Sequence, residues 1–237
     1  MRYNTVRPAV FLSRPNRFIA YADLTGSTVT CHVKNTGRCR ELLLPGTTIF
    51  LEDHSEASLT TRKTRYSVIA VLKDGENQPP LLINMDSQAP NQAAWEWIRQ
   101  GGLAEYGAVS DLRREVVYGN SRFDLAFLLD GKPAFMEVKG VTLEDHGLAM
   151  FPDAPTERGV RHLAELSRAA AEGLSCFVLF VIQMKEITGF SPNRGTHPAF
   201  ADALKAASQS GVHILAMDCA VTPDSMTVDA PVPITLN

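Results

Sequence analysis

The sequence lacks the features that mark exported, membrane or disulfide-rich proteins. Its 237 residues contain no low-complexity tract, and the longest apolar run, residues 176–182, is far too short to span a bilayer. The first residues contain no apolar segment of the signal-peptide type. The four cysteines form no C-x-x-C pair and no zinc-binding spacing. We therefore expect a cytoplasmic protein that neither crosses a membrane nor depends on disulfides.

The chain also lacks an overall positive charge, since its formal net charge is −3. The charge is unevenly distributed, however. Residues 1–84 hold 11 Lys and Arg against 7 Asp and Glu, which gives +4, whereas residues 85–237 hold 12 against 19, which gives −7. A basic part joined to an acidic part suggests that the basic part has a positively charged surface that binds a nucleic acid. A positive charge of +4 is also small enough to arise by chance, and that alternative stays open.

Residues 1–84 are predicted to form an all-β domain. Six short apolar runs alternate with turn residues, which indicates a small barrel. A helical turn near residues 38–44 would suit a five-stranded OB-type barrel, a common oligonucleotide-binding fold. Basic residues at strand ends and turns, one group beside Tyr66, suit phosphate tracking and base stacking, with solvated loops as the alternative. The candidate DNA-binding residues are Arg14, Arg17, Lys34, Arg38, Arg62, Lys63 and Arg65.

Residues 85–237 are predicted to form an α/β domain over a mixed sheet. A helix near residues 92–100 precedes three antiparallel strands. A helix over residues 156–172, with Thr156 as its N-cap, then alternates with a strand over residues 175–183, a helix over residues 198–210 and a strand over residues 212–217. The continuous apolar character of the two last strands indicates burial on both faces, as in parallel sheets.

A hairpin inside this domain carries the strongest chemical signal. Asp130-Gly131 is a favoured pair for a two-residue turn, and that turn would place Asp124 directly opposite Glu137. Because side chains alternate along a strand, Lys139 and Arg122 would share their face. Opposed carboxylates repel each other at Cβ separations of about 4.5–5.5 Å, so the pair calls for a cation.

Hard oxygen ligands suit Mg²⁺ or Mn²⁺, and Lys139 would hold or activate a water beside them. An acidic residue followed by Glu-x-Lys resembles the active-site pattern of the PD-(D/E)XK nucleases. The alternative is a solvated face on which Asp124 pairs with Lys139 and Arg122 with Glu137. Turn length is a second open point: a four-residue loop would keep all four groups on one face, whereas a three-residue loop would separate them.

Other residues are candidates for the same site. Glu115 would lie on the strand beside Asp124, either as a catalytic carboxylate or as a solvent-facing one. His146 and His162 are candidate metal ligands, although isolated histidines in such domains are usually surface or packed residues.

Seven segments follow one another along the chain in a distinctive order. They are Arg14-Pro-Asn-Arg-Phe18, Asn35-Thr-Gly-Arg38, Arg62-Lys-Thr-Arg-Tyr66, Ala89-Pro-Asn91, Arg114-Glu-Val-Val-Tyr-Gly-Asn-Ser-Arg-Phe-Asp124, Glu137-Val-Lys-Gly-Val-Thr142 and Phe151-Pro-Asp-Ala-Pro-Thr-Glu-Arg-Gly159. Together they resemble the signature blocks of the sugar fermentation stimulation protein A family over nearly the whole chain. Gly140 departs from the serine that many relatives carry there.

The resemblance implies an N-terminal OB-like domain over residues 1–84, a nuclease-like domain over residues 85–237 and sequence-nonspecific DNA binding. The resemblance does not itself establish catalysis. From the residues we expect Asp124 and Glu137 to hold the metal ion, aided by the carbonyl of Val138, while Lys139 acts on water or on developing phosphate charge. Arg158, at a helix start, would contact a phosphate, with an ordinary charge pair at the helix start as the alternative.

Two functions fit the resemblance: a Mg²⁺-dependent DNA endonuclease, and a non-catalytic DNA-binding regulator of sugar metabolism, maltose metabolism in particular. The preferred DNA structure, RNA binding and the oligomeric state stay open, with a homodimer as one alternative.

Overall fold

The computed structural model describes residues 1–35, 37, 39–55, 62–75, 79–119 and 121–236. The chain divides into two compact units. The first comprises Met1–Ala89, Gln183–Glu186 and Cys219–Thr227, and the second comprises Pro90–Ile182, Ile187–Asp218 and Val228–Asn237. A division of the chain between residues 84 and 85 would assign Gln183–Glu186 and Cys219–Thr227 to the second domain. The structure groups these two segments with the first unit.

The first unit contains a sheet of six strands within the described residues. They are β1 (Thr5–Asn16), β2 (Ile19–Leu24), β3 (Ser27–Val33), β4 (Thr48–Asp53), β5 (Tyr66–Lys73) and β6 (Leu81–Asn84). The strand order is β3-β2-β1-β4-β5-β6, and β3 also pairs in parallel with β5. This additional pairing closes the sheet into a barrel, as the strand spacing predicts.

The turn between β2 and β3 shows how local sequence sets the register of the barrel. Thr25 and Gly26 both have positive φ, 53° and 85°, which matches the twist of a two-residue hairpin. The Asp23 carboxylate accepts a hydrogen bond from the Gly26 N–H at 2.7 Å and stabilises the turn. In this register Ala20, Ala22 and Leu24 on alternate positions of β2 are all buried.

The remaining elements complete the α/β part of the chain. They are α1 (Ala89–Arg99), β7 (Val109–Tyr118), β8 (Ser121–Leu129), β9 (Lys132–Val141), β10 (Leu143–Asp145), β11 (Leu148–Phe151), α2 (Glu157–Ala171), β12 (Ser175–Ile182), β13 (Gly189–Pro192), α3 (Pro198–Gln209), β14 (His213–Thr222) and β15 (Ser225–Pro231). The larger sheet has the order β15-β14-β12-β9-β8-β7.

The larger sheet is mixed, as predicted. Strand β12 pairs in parallel with β9 and β14, while β8 pairs antiparallel with β7 and β9. Every residue of β12 from Cys176 to Ile182 is fully buried, which explains its continuous apolar sequence. Helix α2 begins as predicted, because the Thr156 hydroxyl accepts a hydrogen bond from the Gly159 N–H at 3.1 Å.

Some elements differ from the sequence prediction. The small sheet β10-β11-β13 was not predicted, because strands of three or four residues show too little alternation to be recognised. The last strand, β15, was not predicted either. In the described part of the predicted helical turn, residues 39–44, the structure has a single turn and no longer helix. The Leu43 N–H donates to the Cys39 carbonyl at 3.0 Å, which is the i→i−4 spacing of one helical turn. No helix in the described ranges has the length and apolar character that crossing a bilayer requires.

Candidate metal centre

The hairpin of β8 and β9 has the predicted two-residue turn. Asp130 and Gly131 have φ values of 48° and 78°, and the strand pairing runs from Leu129↔Lys132 to Leu125↔Met136. One further step in this register brings Asp124 opposite Glu137. The alternatives of a three-residue or four-residue loop are therefore wrong.

Asp124 is held by hydrogen bonds to both of its carboxylate oxygens. Its Oδ2 accepts from the backbone N–H of Val138 at 2.9 Å, across the hairpin. Its Oδ1 accepts from Nδ2 of Asn91, a residue of α1, at 3.0 Å. These two donors fix the orientation of the carboxylate without supplying a full positive charge.

Glu137 lies deeper, and only 3% of the residue is exposed. Its Oε1 accepts from the Lys139 ammonium at 2.6 Å and also contacts Nδ1 of His162. Its Oε2 is buried without a hydrogen-bond partner among the described residues. A buried carboxylate oxygen that has lost its water costs free energy unless another group binds it.

The two carboxylates have pKa values shifted in opposite directions. Burial raises the pKa of Asp124, and the neighbouring charge of Glu137 raises it further. Burial also acts to raise the pKa of Glu137, but the hydrogen bond from His162 and the charge of Lys139 outweigh it and leave that pKa below its ordinary value. Glu137 is thus the stable anion of the pair, whereas a second negative charge on Asp124 is disfavoured unless a cation balances it.

These donors fit a hard divalent cation. Glu137 Oε2, which has no hydrogen-bond partner in the described part of the chain, and the nearby Asp124 carboxylate provide anionic oxygens. The Val138 carbonyl stays a predicted third ligand. Within the part of the chain that the structure describes, no group of three or more His, Cys, Asp and Glu side chains is placed to hold a metal ion. Such a site suits Mg²⁺, which keeps several waters and needs only one or two protein carboxylates, better than a closed zinc site.

Glu115 has a different environment from the one predicted for a catalytic carboxylate. The pairing of Arg114 with Leu125 and of Val116 with Phe123 does place Glu115 beside Asp124. Its backbone has a positive φ of 54°, however, and its carboxylate binds the Arg122 guanidinium at 2.8 Å, with both side chains more than half exposed. The geometry supports the alternative of a solvent-facing strand carboxylate. Arg122 thus pairs with Glu115 in the structure, whereas the alternative of a solvated face paired it with Glu137.

Helix α2 places His162 on its buried face, where it contacts Glu137. Arg158, predicted to contact a phosphate, is exposed and donates from Nε to Nε2 of His162 at 3.3 Å. His146 lies elsewhere on the surface, with 91% of its side chain exposed. Sequence reasoning gave His162 only as one of two isolated histidines and did not single out Asn91. The signal for His162 was its i+4 spacing from Arg158, which puts both residues on one face of a helix.

The predicted DNA-binding residues of the first unit have two kinds of environment. Arg17 and Lys63 are exposed, and Arg17 lies over the Phe18 ring at 4.9 Å from its centroid. Arg14 donates to the carbonyls of Arg17 and Asn35 at 2.7 and 2.9 Å, and so braces the β1–β2 turn. Arg38 lies outside the described residues.

The other basic residues of this group are engaged with partners inside the first unit. Lys34, whose side chain is only 15% exposed, binds Asp86 at 2.7 Å and Glu52 at 3.3 Å. Arg62 donates to the Ser67 hydroxyl at 2.9 Å, and Arg65 binds both oxygens of Asp53. Burial between carboxylates makes Lys34 a poorer phosphate ligand than its position in the sequence suggests.

The pair of Arg65 and Asp53 predicts a pH dependence of stability. The hydrogen bonds from Arg65 lower the pKa of Asp53 to about 2, from an ordinary value of 3.8. A pKa lower in the folded than in the unfolded state stabilises the protein above the unfolded value, and the contribution is lost as pH falls through the folded value. We expect Asp53→Asn to lower the melting temperature at pH 7, with a difference from wild type that shrinks as the pH falls from about 4 to 2.

Thermal unfolding at a series of pH values measures this effect. Asp202→Asn is the matched control, since Asp202 forms an exposed pair with Arg194 and such pairs add little stability. If the melting temperature of Asp53→Asn stays below that of wild type by the same amount across the acid range, the prediction is contradicted.

Two family models match the sequence. The model of the SfsA N-terminal OB domain matches residues 12–77, and that of the sugar fermentation stimulation protein RE domain matches residues 88–225. The chain belongs to the sugar fermentation stimulation protein (SfsA) family. Membership confirms the predicted OB-like barrel and the C-terminal α/β domain with a mixed sheet.

Similar proteins cover nearly the full length of this SfsA family member. A sugar fermentation stimulation protein homolog from Desulfitobacterium hafniense (strain Y51) is 52% identical over 226 residues, which are 95% of this chain and 94% of the relative. A homolog from Clostridium beijerinckii is 48% identical over 228 residues, 96% of each chain. The structure of Pyrococcus furiosus SfsA in complex with Ca²⁺ is 26% identical, with a TM-score of 0.86 over 99% of this chain and 98% of that one.

Proposed function

We propose that this SfsA family member binds DNA without sequence preference and hydrolyses phosphodiester bonds with Mg²⁺ or Mn²⁺ at the site formed by Asp124 and Glu137. The observation that carries the proposal is the buried Oε2 of Glu137, which no group of the described residues binds, in an Asp…Glu-x-Lys arrangement. The Ca²⁺ complex of the Pyrococcus furiosus relative supports a divalent cation in this family.

Each residue of the site has a distinct task in this reaction. Asp124, Glu137 and the Val138 carbonyl would hold a divalent cation, which would supply positive charge near the phosphate and acidity to a water molecule. The Val138 N–H and Asn91 hold Asp124 in the required orientation. The Lys139 ammonium lies 2.6 Å from Oε1 of Glu137, at the edge of the same site. Its task in this proposal is to stabilise the negative charge that develops on the phosphate.

The basic residues of the first unit supply the nonspecific affinity for DNA in this proposal. Arg17 and Lys63 have exposed cationic groups that suit backbone phosphates. Phe18 is a residue 45% exposed, and its ring, with Arg17 above it, suits stacking on an unpaired base. Neither contact reads a base edge, so binding would depend strongly on salt and weakly on sequence.

A non-catalytic regulator of sugar and maltose metabolism genes is the second candidate function. The names of the relatives, which refer to stimulation of sugar fermentation, favour it. In a regulator the acidic pair would bind a cation only to relieve the repulsion between two carboxylates. In both proposals the protein acts in the cytoplasm.

Incubation of the purified protein with plasmid, single-stranded and branched DNA tests the proposal. We expect strand cleavage with Mg²⁺ or Mn²⁺, no cleavage with EDTA, and none with Glu137→Ala under any condition. Asp202→Ala, which removes an exposed carboxylate far along the sequence from the acidic pair, is the matched control and should cleave like wild type. DNA binding without metal-dependent cleavage on all three substrates would contradict the enzyme and favour the regulator.

A further inference from the structure

Two side chains of helix α2 extend the acidic site in a way that the proposed reaction does not use. Nε of Arg158 donates to Nε2 of His162 at 3.3 Å, and Nδ1 of His162 contacts Oε1 of Glu137. His162 is 6% exposed and Glu137 is 3% exposed, so water is largely excluded from their contact. Arg158, His162 and Glu137 therefore form a continuous line of hydrogen bonds from the surface to the buried carboxylate.

The direction of these hydrogen bonds follows from the chemistry of the groups. The Nε–H of an arginine can only donate, so Nε2 of His162 must accept. The remaining hydrogen of the imidazole is then on Nδ1, which donates to Oε1 of Glu137. Arg158 thus selects the form of His162 that can donate to the carboxylate.

This arrangement distinguishes the two oxygens of Glu137. Oε1 receives donors from both His162 and Lys139, whereas the buried Oε2 has no partner among the described residues. A carboxylate held at one oxygen by two donors presents the other oxygen in a fixed direction. Hydrogen bonds of this kind orient metal ligands, and their loss typically lowers metal affinity 10- to 100-fold.

The helix that carries His162 is itself firmly placed. Thr156 caps its first turn, and Leu163, Leu166 and Ala169 are buried on the same side as His162. The imidazole therefore has a rigid support, and Glu137 is held from α2 as well as from its own strand.

We infer that His162, oriented by Arg158, is a positioning residue that fixes Glu137 so that Oε2 alone faces the divalent cation. This inference rests on the proposed function and deepens it, because it assigns to α2 a role in cation binding. His162 acts through Glu137 and is not itself a ligand.

Calorimetry with Mn²⁺ and Mg²⁺ on the full-length protein tests the inference without any measurement of activity. His162→Leu should weaken cation binding by roughly 10- to 100-fold. His162→Asn should restore binding to within a few-fold of wild type, because its amide nitrogen takes the place of Nδ1. Arg158→Met should weaken binding by less than His162→Leu, whereas Arg161→Met, an exposed residue of the same helix, should bind like wild type.

Nitrogen NMR of His162 provides a second measurement, and we expect the proton on Nδ1 in wild type and its partial transfer to Nε2 in Arg158→Met. Unchanged cation affinity in His162→Leu, with binding intact in wild type, would overturn the inference alone. If His162→Leu and His162→Asn lose the same amount of cation affinity and both have lower melting temperatures in EDTA, His162 has only a packing role. That result would also overturn the inference. A wild-type protein that binds neither cation would overturn the proposed function and this inference together.

Discussion

Millimolar Mg²⁺ or Mn²⁺ should raise the melting temperature of the wild-type protein, and Asp124→Asn should abolish that rise. A ligand that binds only the folded state at a hundredfold excess over its Kd adds about 2.7 kcal/mol of stability. For a protein of this size, each kcal/mol moves the melting temperature by roughly 2–4 °C. The gain should therefore be several degrees and readily measured by calorimetry or circular dichroism.

In EDTA the same variant should be more stable than wild type. The folded protein holds the pKa of Asp124 above its ordinary value, through burial and the charge of Glu137, so the ionised carboxylate destabilises the fold at neutral pH. Asparagine removes that charge and can still accept the hydrogen bond from the Val138 N–H. The variant would thus exchange function for stability, as is common for residues of an active site.

Two results would contradict this prediction. One is a wild-type melting temperature that does not respond to either cation. The other is an Asp124→Asn variant that keeps the full response, which would place the cation elsewhere. Asp202→Asn is the control for the loss of any one carboxylate. Its melting temperature should match that of wild type both in EDTA and with Mg²⁺ or Mn²⁺.

The sequence predicted the acidic hairpin in detail because every determinant of its geometry is local. Asp130 and Gly131 tolerate positive φ, a two-residue turn fixes the register, and alternation along the strands then places Asp124 opposite Glu137. The capping of α2 by Thr156 and the burial of β12 were predictable for the same reason.

Contacts between distant segments could not be predicted in this way. His162 contacts Glu137 across 25 residues of sequence, and Lys34 contacts Asp86 across 52. No local pattern records which side chains of two separate elements will meet. Lys34 and Arg65 consequently resemble phosphate ligands in the sequence, whereas the fold uses them to balance buried carboxylates. Glu115 likewise has the right register but a backbone angle that no pattern of residues indicates.

Lys139→Met should lower the rate of DNA cleavage by orders of magnitude while leaving DNA affinity nearly unchanged. The substitution keeps most of the volume of the side chain and removes the ammonium that lies 2.6 Å from Glu137. Loss of a single preorganised charge-stabilising donor typically lowers kcat by about 10²–10³. One phosphate contact among many, in contrast, contributes little to nonspecific binding. Single-turnover cleavage at saturating Mn²⁺ and a binding titration at fixed salt measure the two quantities.

The control for Lys139→Met is Lys139→Arg, which keeps a cation beside Glu137 and should recover part of the cleavage rate. A parallel loss of cleavage and DNA affinity in Lys139→Met would mean that the lysine anchors DNA rather than stabilising the reaction. If both variants and wild type bind cations and DNA but none cleaves, the ammonium has only the structural task of balancing Glu137. In that case the acidic pair would still hold a cation, because Asp124 and Glu137 would remain opposed in the hairpin, and the protein would act as a regulator.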